Sequence, residues 1–253
     1  MRKVERPVWC RVTEYVLAFL ALTIFWQLLA WVLSKPVLPP PLVAIKALVE
    51  GLSGELKVHL MVSAYRILAS LAWATLVAVP LGLLIGRIYH LDRLVAPLIY
   101  LVYPVPKVVF LPVVLVLMGL GDISKIFLIG LIAFFQILVA TRDAARGVEK
   151  ELVYSLRSLG ATQVHIFRHV VFPAALPKII TSLRIALGTS IAVLFITETV
   201  ATSTGIGYYL MDAWARVAYD DLFAGVLAMG LMGFGLYLLL DWLEKRICPW
   251  QHL

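Results

Sequence analysis

The chain has 253 residues, of which 62% are hydrophobic and 15% charged, against about 45–50% and about 25% in ordinary globular proteins; its mean hydropathy is +0.96. Fifteen acidic and 22 basic residues are too few to coat a soluble fold of this size, which excludes an ordinary soluble domain. The net charge of +7 does not read as nucleic-acid binding, because the basic residues sit at the ends of apolar runs, where membrane helices carry their topology signals.

A helix needs about 20 apolar residues to cross a bilayer. The first run, Val12–Leu33, has that length and follows Arg2, Lys3, Arg6 and Arg11. It is longer than the apolar core of a leader peptide and lacks an A-x-A ending, so it is expected to stay as a helix. Ser34-Lys35-Pro36 closes it, and Pro39-Pro40-Pro41 opens a short amphipathic segment to about His59. Further apolar runs are Met61–Gly86, a stretch from Leu94 to Gly119-Leu120-Gly121-Asp122, Lys125–Thr141, Ile179–Ser203 and Leu222–Leu243.

Between the fourth and fifth runs lies a polar, helix-capable stretch, Arg142–Pro177. Six crossings place both termini on one side. Arg87, Arg93, Arg142, Arg146, Lys150, Arg157, Arg168, Lys178, Lys245 and Arg246 join the N-terminal cations on one set of connections, against Lys35, Lys46, Lys57, Lys125 and Arg216 on the other. The positive-inside rule makes the first set, with both termini and the Arg142–Pro177 stretch, cytoplasmic. No repeat or linker divides residues 1–253, so one all-α, polytopic transmembrane bundle embedded in a lipid bilayer is expected.

Three segments carry candidate chemistry. The third run contains Tyr103-Pro104-Val105-Pro106-Lys107 and Pro112. Prolines remove backbone donors, and broken helix at membrane depth is tolerated only where protein buries it or it lines a cavity. Tyr103, Pro104, Pro106 and Lys107 are therefore candidates for a solute path, the other reading being a kinked structural helix with Lys107 snorkelling to an interface. Glu198 lies in the hydroxyl-rich fifth run with Thr202 one turn on. Its carboxylate is expected either to face the path or to fix packing against a neighbouring helix. Gln136 in the fourth run is a further path candidate.

The third segment is the polar stretch itself. Leu152, Leu156 and Leu159 recur at helical spacing before Gly160, and Thr162 is placed to cap a second short helix bearing Val164, Phe167 and Val170-Val171, with Pro173 and Pro177 expected to stop it. Such a hairpin suits either lipid headgroups or a groove in a partner protein.

Ser158-Leu159-Gly160-Ala161-Thr162, followed by Phe167-Arg168-His169-Val170-Val171-Phe172-Pro173, resembles the cytoplasmic coupling loop of binding-protein-dependent ABC importer permeases. That loop has a Glu-Ala-Ala opening, a glycine and an Ile-x-Leu-Pro ending. Tyr154-Ser155-Leu156 stand where Glu-Ala-Ala is usual, and Glu151 lies one turn earlier. The likeness extends through Ser63-Ala64-Tyr65-Arg66, Pro80–Gly86, Tyr103–Pro106, Leu111-Pro112, Gly119–Asp122, Glu198 and Gly205-Ile206-Gly207-Tyr208, nearest to the nitrate, sulfonate, taurine and bicarbonate branch.

The resemblance implies a type I ABC importer permease in a bacterial or archaeal plasma membrane. It implies a second permease copy (a homodimer), an ATP-binding subunit that holds ATP and magnesium, and an external solute-binding protein. Glu151, Tyr154, Ser155, Leu156, Leu159, Gly160, Ala161, Phe167, Arg168 and Pro173 would form the ATPase contact. This chain itself lacks GxxxxGK[ST], HExxH and GxSxG, and none of His59, His90, His165, His169 and His252 falls in a spanning core. Cys10 and Cys248 form no metal or disulfide pattern. An ATP-independent secondary transporter or channel is the alternative class.

Overall fold

A computed structural model describes residues 8–251. The cations Arg2, Lys3 and Arg6 and also His252 lie outside the described residues, as do the side chains of Cys10, Arg11 and Lys150. Helices account for nearly all described secondary structure: α1 (Val8–Leu33), α2 (Pro41–Leu52), α3 (Glu55–Arg87), α4 (Tyr89–Val102), α5 (Leu111–Met118), α6 (Asp122–Arg146), α7 (Lys150–Ser158), α8 (Gln163–Ile166), α9 (Phe172–Glu198), α10 (Ile206–Ala215) and α11 (Tyr219–Ile247). Five helical runs are long and apolar enough to cross a membrane, or six if α4 and the run Lys107–Met118, bent by 75° at their junction, count as one broken span.

Helix ends follow elementary electrostatics. Asp122 opens α6 and Arg146 closes it, while Asp220 and Asp221 open α11 and Lys245 and Arg246 close it, each charge opposing the local end of the helix dipole. Pro41 occupies the first turn of α2, where a missing N–H costs nothing.

The described residues form two compact units. The smaller joins the run up to Lys57 to Tyr209–Ala228. Within it Ala44, Leu48 and Leu56 of the first segment are buried, as are Leu210, Ala213 and Ala224 of the second. Trp26 donates its indole N–H to Pro39 O at 3.1 Å and packs at 5.6 Å on Phe223.

The larger unit comprises Val58–Tyr208 and the run from Met229. The long helices α6 and α9 pack along each other within it. Against α6 lies α3, and the contact explains Gly82-Leu83-Leu84-Ile85-Gly86. A Cβ on Gly82 would come within 2.7 Å of Thr141 Cβ, and one on Gly86 would strike Arg142 O. In lipid, where apolar surface gives no drive to associate, such small residues let two backbones approach and gain dispersion contact.

Two expectations about chain course are corrected. Arg142 does not begin a loop: α6 continues to Arg146, and Arg142 is buried, pairing with Asp92 of α4 and with Asp143. Pro173 and Pro177 do not stop the second hairpin helix either. One continuous helical run extends from Gln163 to Glu198, passing through a wider π-type turn at Phe167–Val171. A proline ring clashes with the carbonyl four residues back in a straight α-helix, and a widened turn just before Pro173 relieves that clash.

Candidate functional site

The break in the third span is built by its prolines. α4 ends at Val102, Tyr103 still has α-type dihedrals, and Pro106 is extended before a 3-10 turn begins at Lys107; Pro104 and Pro106 lack the N–H donors that a continuing helix would need. Lys107 is 8% exposed. Its Nζ donates to Val102 O at 2.9 Å, Tyr103 O at 2.7 Å and Val105 O at 3.1 Å, so the carbonyls freed by the break are held by one ammonium.

The same break borders a cavity of about 310 Å³, lined by Tyr103–Val108, Ile132, Phe135, Gln136 and Val193. Gln136, assigned from a different run than Tyr103, Pro104, Pro106 and Lys107, thus comes together with them. Gln136 donates through Nε2 to Thr189 Oγ1 at 3.2 Å, while its Oε1 is buried without a partner.

Glu198 and Thr202 lie elsewhere. Glu198 is not mid-helix but the last residue of α9, and Thr202 sits in the following loop, where its hydroxyl donates to Thr204 O at 3.1 Å. The expected placement of Thr202 one helical turn from Glu198 is therefore wrong, because the helix ends first.

Glu198 is completely buried. Arg66 Nη1 donates to its Oε1 at 2.7 Å, Ser63 Oγ lies 2.8 Å from both carboxylate oxygens, and Gly207 N–H donates to Oε2 at 2.9 Å. Arg66 also donates from Nε and Nη2 to Asp122 Oδ1 at 2.9 and 2.6 Å, from Nη1 to Thr204 O at 2.9 Å and from Nη2 to Thr204 Oγ1 at 3.1 Å. All five guanidinium N–H groups are thereby used. Gly205, at φ +113, and Gly207 are required here, since a Cβ on either would run into Glu198. Gly205 N–H donates to His59 Nδ1 at 3.1 Å.

Sequence reasoning singled out Glu198 but missed its partners Arg66 and Ser63, and the further partners of Arg66, Asp122 and Thr204. The available clue was charge: Arg66 is a lone cation inside an apolar run, and a lone anion in another run needs a counterpart. Lys125, also fully buried, donates to Leu120 O at 2.7 Å and Gly121 O at 3.3 Å beside this cluster.

The hairpin of α7 and α8 is fastened to the larger unit by Val153, Ile166 and Val171, which pack with Leu83, Ala144, Ala145, Ala175 and Ile179. Its corner is Gly160, whose φ of +79 favours glycine, and Thr162 Oγ1 accepts from His165 N at 3.4 Å as a weak cap. The expected apolar stripe is revised. Leu156 and Ala161 are partly buried, but Leu152 and Leu159 are exposed, and Val164 and Phe167 are exposed in place of Ile166. Glu151, Tyr154, Ser155 and Arg168 also face outward, whereas Pro173 is half-buried. The result is an apolar tip, with Leu159 83% and Val164 71% exposed. Near it, Leu152, Ser155, Leu156, His169, Pro173 and Trp250 help line a groove of about 410 Å³.

Comparison with known proteins bears on both the broken span and the hairpin. The family described as binding-protein-dependent transport system inner membrane component matches residues 78–251. The chain is 32% identical over 237 residues to the taurine transport system permease protein TauC of Escherichia coli K12, covering 91% of this chain and 86% of TauC. Its fold is similar to a chain of the inward-facing MetNI methionine ABC transporter, with TM-score 0.64, 19% identity and coverage of 75% of this chain and 94% of that one. It is also similar to a chain of a bacterial ABC transporter that imports the acidic polysaccharide alginate, with TM-score 0.61, 18% identity and coverage of 95% and 99%.

Proposed function

Because the chain belongs to the family of binding-protein-dependent transport system inner membrane components, we propose that it forms the membrane path of an ATP-driven importer for a small sulfonate or a related anion, as TauC does for taurine. In this reading a plasma-membrane complex contains two copies of the chain, an ATP-binding subunit and an external solute-binding protein. Both termini and the α7–α8 hairpin face the cytoplasm. ATP and magnesium belong to the partner subunit, and no reaction is catalysed by this chain.

The observation that carries the reading is mechanical. The exposed apolar tip of the hairpin is continuous with α9 through the unbroken run Gln163–Glu198, and α9 ends on the Arg66–Glu198–Asp122 cluster. An apolar tip on a hairpin that also exposes Glu151, Arg157 and Arg168 suits a groove in a partner protein better than bulk water. A partner with two nucleotide-dependent shapes would move that tip, and the helix would carry the displacement to its far end, because packed elements shift as units. Tyr103, Pro104, Pro106, Lys107 and Gln136 line the path beside α9.

Reconstitution with the ATPase and binding protein tests this. Gly160→Glu forces a side chain into left-handed backbone, and Phe167→Glu places charge in the apolar tip. Each is expected to abolish ATP-driven uptake and to weaken retention of the ATPase on purification. Normal uptake with normal ATPase recruitment in both variants would overturn the coupling role, and uptake by the wild type without any ATPase would favour a secondary transporter.

A further inference from the structure

Among the buried cations, Lys107 is distinguished by what it lacks. Arg66 is paired with Asp122 and Glu198, and Arg142 with Asp92 and Asp143. Lys125, bonded to carbonyls like Lys107, lies close enough to Arg66, Asp122 and Glu198 to feel all three charges. Lys107 has its three N–H donors satisfied by Val102 O, Tyr103 O and Val105 O, yet among the described residues no carboxylate comes within ion-pair distance of Nζ.

Carbonyls satisfy donors without supplying a countercharge. The C-terminal end of a helix such as α4 contributes roughly half an elementary negative charge, so part of the ammonium's positive field is left over. The rings of Phe135 and Tyr103, 4.7 and 5.5 Å from Nζ, add quadrupole attraction but no charge. That residual field falls on the cavity bordered by Lys107, Val108, Gln136 and Val193, whose about 310 Å³ matches the lower end of small-molecule sites. Gln136 is part of that lining, and its buried Oε1 has no partner.

We infer that this cavity is an anion subsite, in which Lys107 attracts a compact anionic head through its field and Gln136, on the lining, meets a polar group of the same solute. The ammonium does not bond the solute directly, because its donors are already engaged. Placing the subsite on a transport path rests on the import reading above; the charge preference of the cavity does not.

The test reads that preference without transport. In the assembled transporter, held in phosphatidylcholine nanodiscs and carrying Cys10→Ser and Cys248→Ser, Val108→Cys is modified by an anionic and by a cationic methanethiosulfonate. The anionic-to-cationic rate ratio is expected to exceed that of free cysteine by about tenfold, to return towards it in Lys107→Gln, and to be kept in Lys107→Arg. 2-Aminoethanesulfonate is expected to slow the modification, and less so after Gln136→Leu. A wild-type ratio equal to that of free cysteine, or one unchanged by Lys107→Gln, would overturn the subsite. Should Lys107→Gln fail to assemble, the wild-type comparison with free cysteine decides alone. Absence of ATP-driven uptake alongside a charge-selective cavity would sink the import reading and leave the anion site standing.

Discussion

Arg66 and Glu198 show what a buried charge demands of its surroundings. Each is held by a full set of bonds, from Ser63 and Gly207 on the acid side and from Asp122 and Thr204 on the basic side. Removing Arg66 leaves Glu198 buried without its countercharge, which costs about 3–5 kcal/mol, whereas removing Glu198 leaves Arg66 its second partner, Asp122. We therefore expect Arg66→Ala to lower the stability of the purified protein by about 3–5 kcal/mol, and Glu198→Ala by less, because Asp122 still pairs with Arg66. The double variant Arg66→Met with Glu198→Met should lose clearly less than the sum of the single losses, because neither charge is then stranded. Thermal unfolding of the four proteins in one detergent measures the coupling, and strictly additive losses would mean the pair is not a unit. Asp122, whose side chain is 48% exposed, keeps one edge of this cluster in contact with the surface.

At the scale of elements, close backbone approach and local geometry matter more than hydrophobicity. The α3–α6 contact depends on Gly82 and Gly86 lying against Leu138, Thr141 and Arg142. Gly86→Leu should force the two helices apart and cost about 1–3 kcal/mol or more, seen as lower yield and a lower melting temperature. Gly188, which has open space around its Cβ position, is the matched control: Gly188→Leu should be tolerated. The hairpin depends on a different feature. Its apolar register shifts across the π-type turn at Phe167–Val171, so that Ile166, Val170 and Val171 are buried while Val164 and Phe167 are turned out. A strict helical wheel drawn through residues 164–171 assigns the wrong face, since one wide turn rotates everything beyond it.

For the whole molecule the proposed orientation has a direct measurement. With the native cysteines replaced, Leu159→Cys should react with an impermeant maleimide in inside-out vesicles and not in intact cells, and bound ATPase should protect it. Labelling from outside would reverse the proposed topology. The sequence alone determined the membrane class, the all-α architecture, the helix break at Tyr103–Pro106 and the family, because each rests on composition, apolar run length, proline chemistry or a local motif. It also identified five lining residues of one cavity, since Tyr103, Pro104, Pro106 and Lys107 are neighbours in the chain and Gln136 stood out by polarity. Only the tertiary structure decided that Arg66, 132 positions from Glu198, is its partner, that Lys107 is satisfied by carbonyls yet lacks a countercharge, and that the hairpin continues into α9. Pairing across distant helices and the register beyond a π turn depend on how segments meet in space, and periodicity within a single segment carries no record of that.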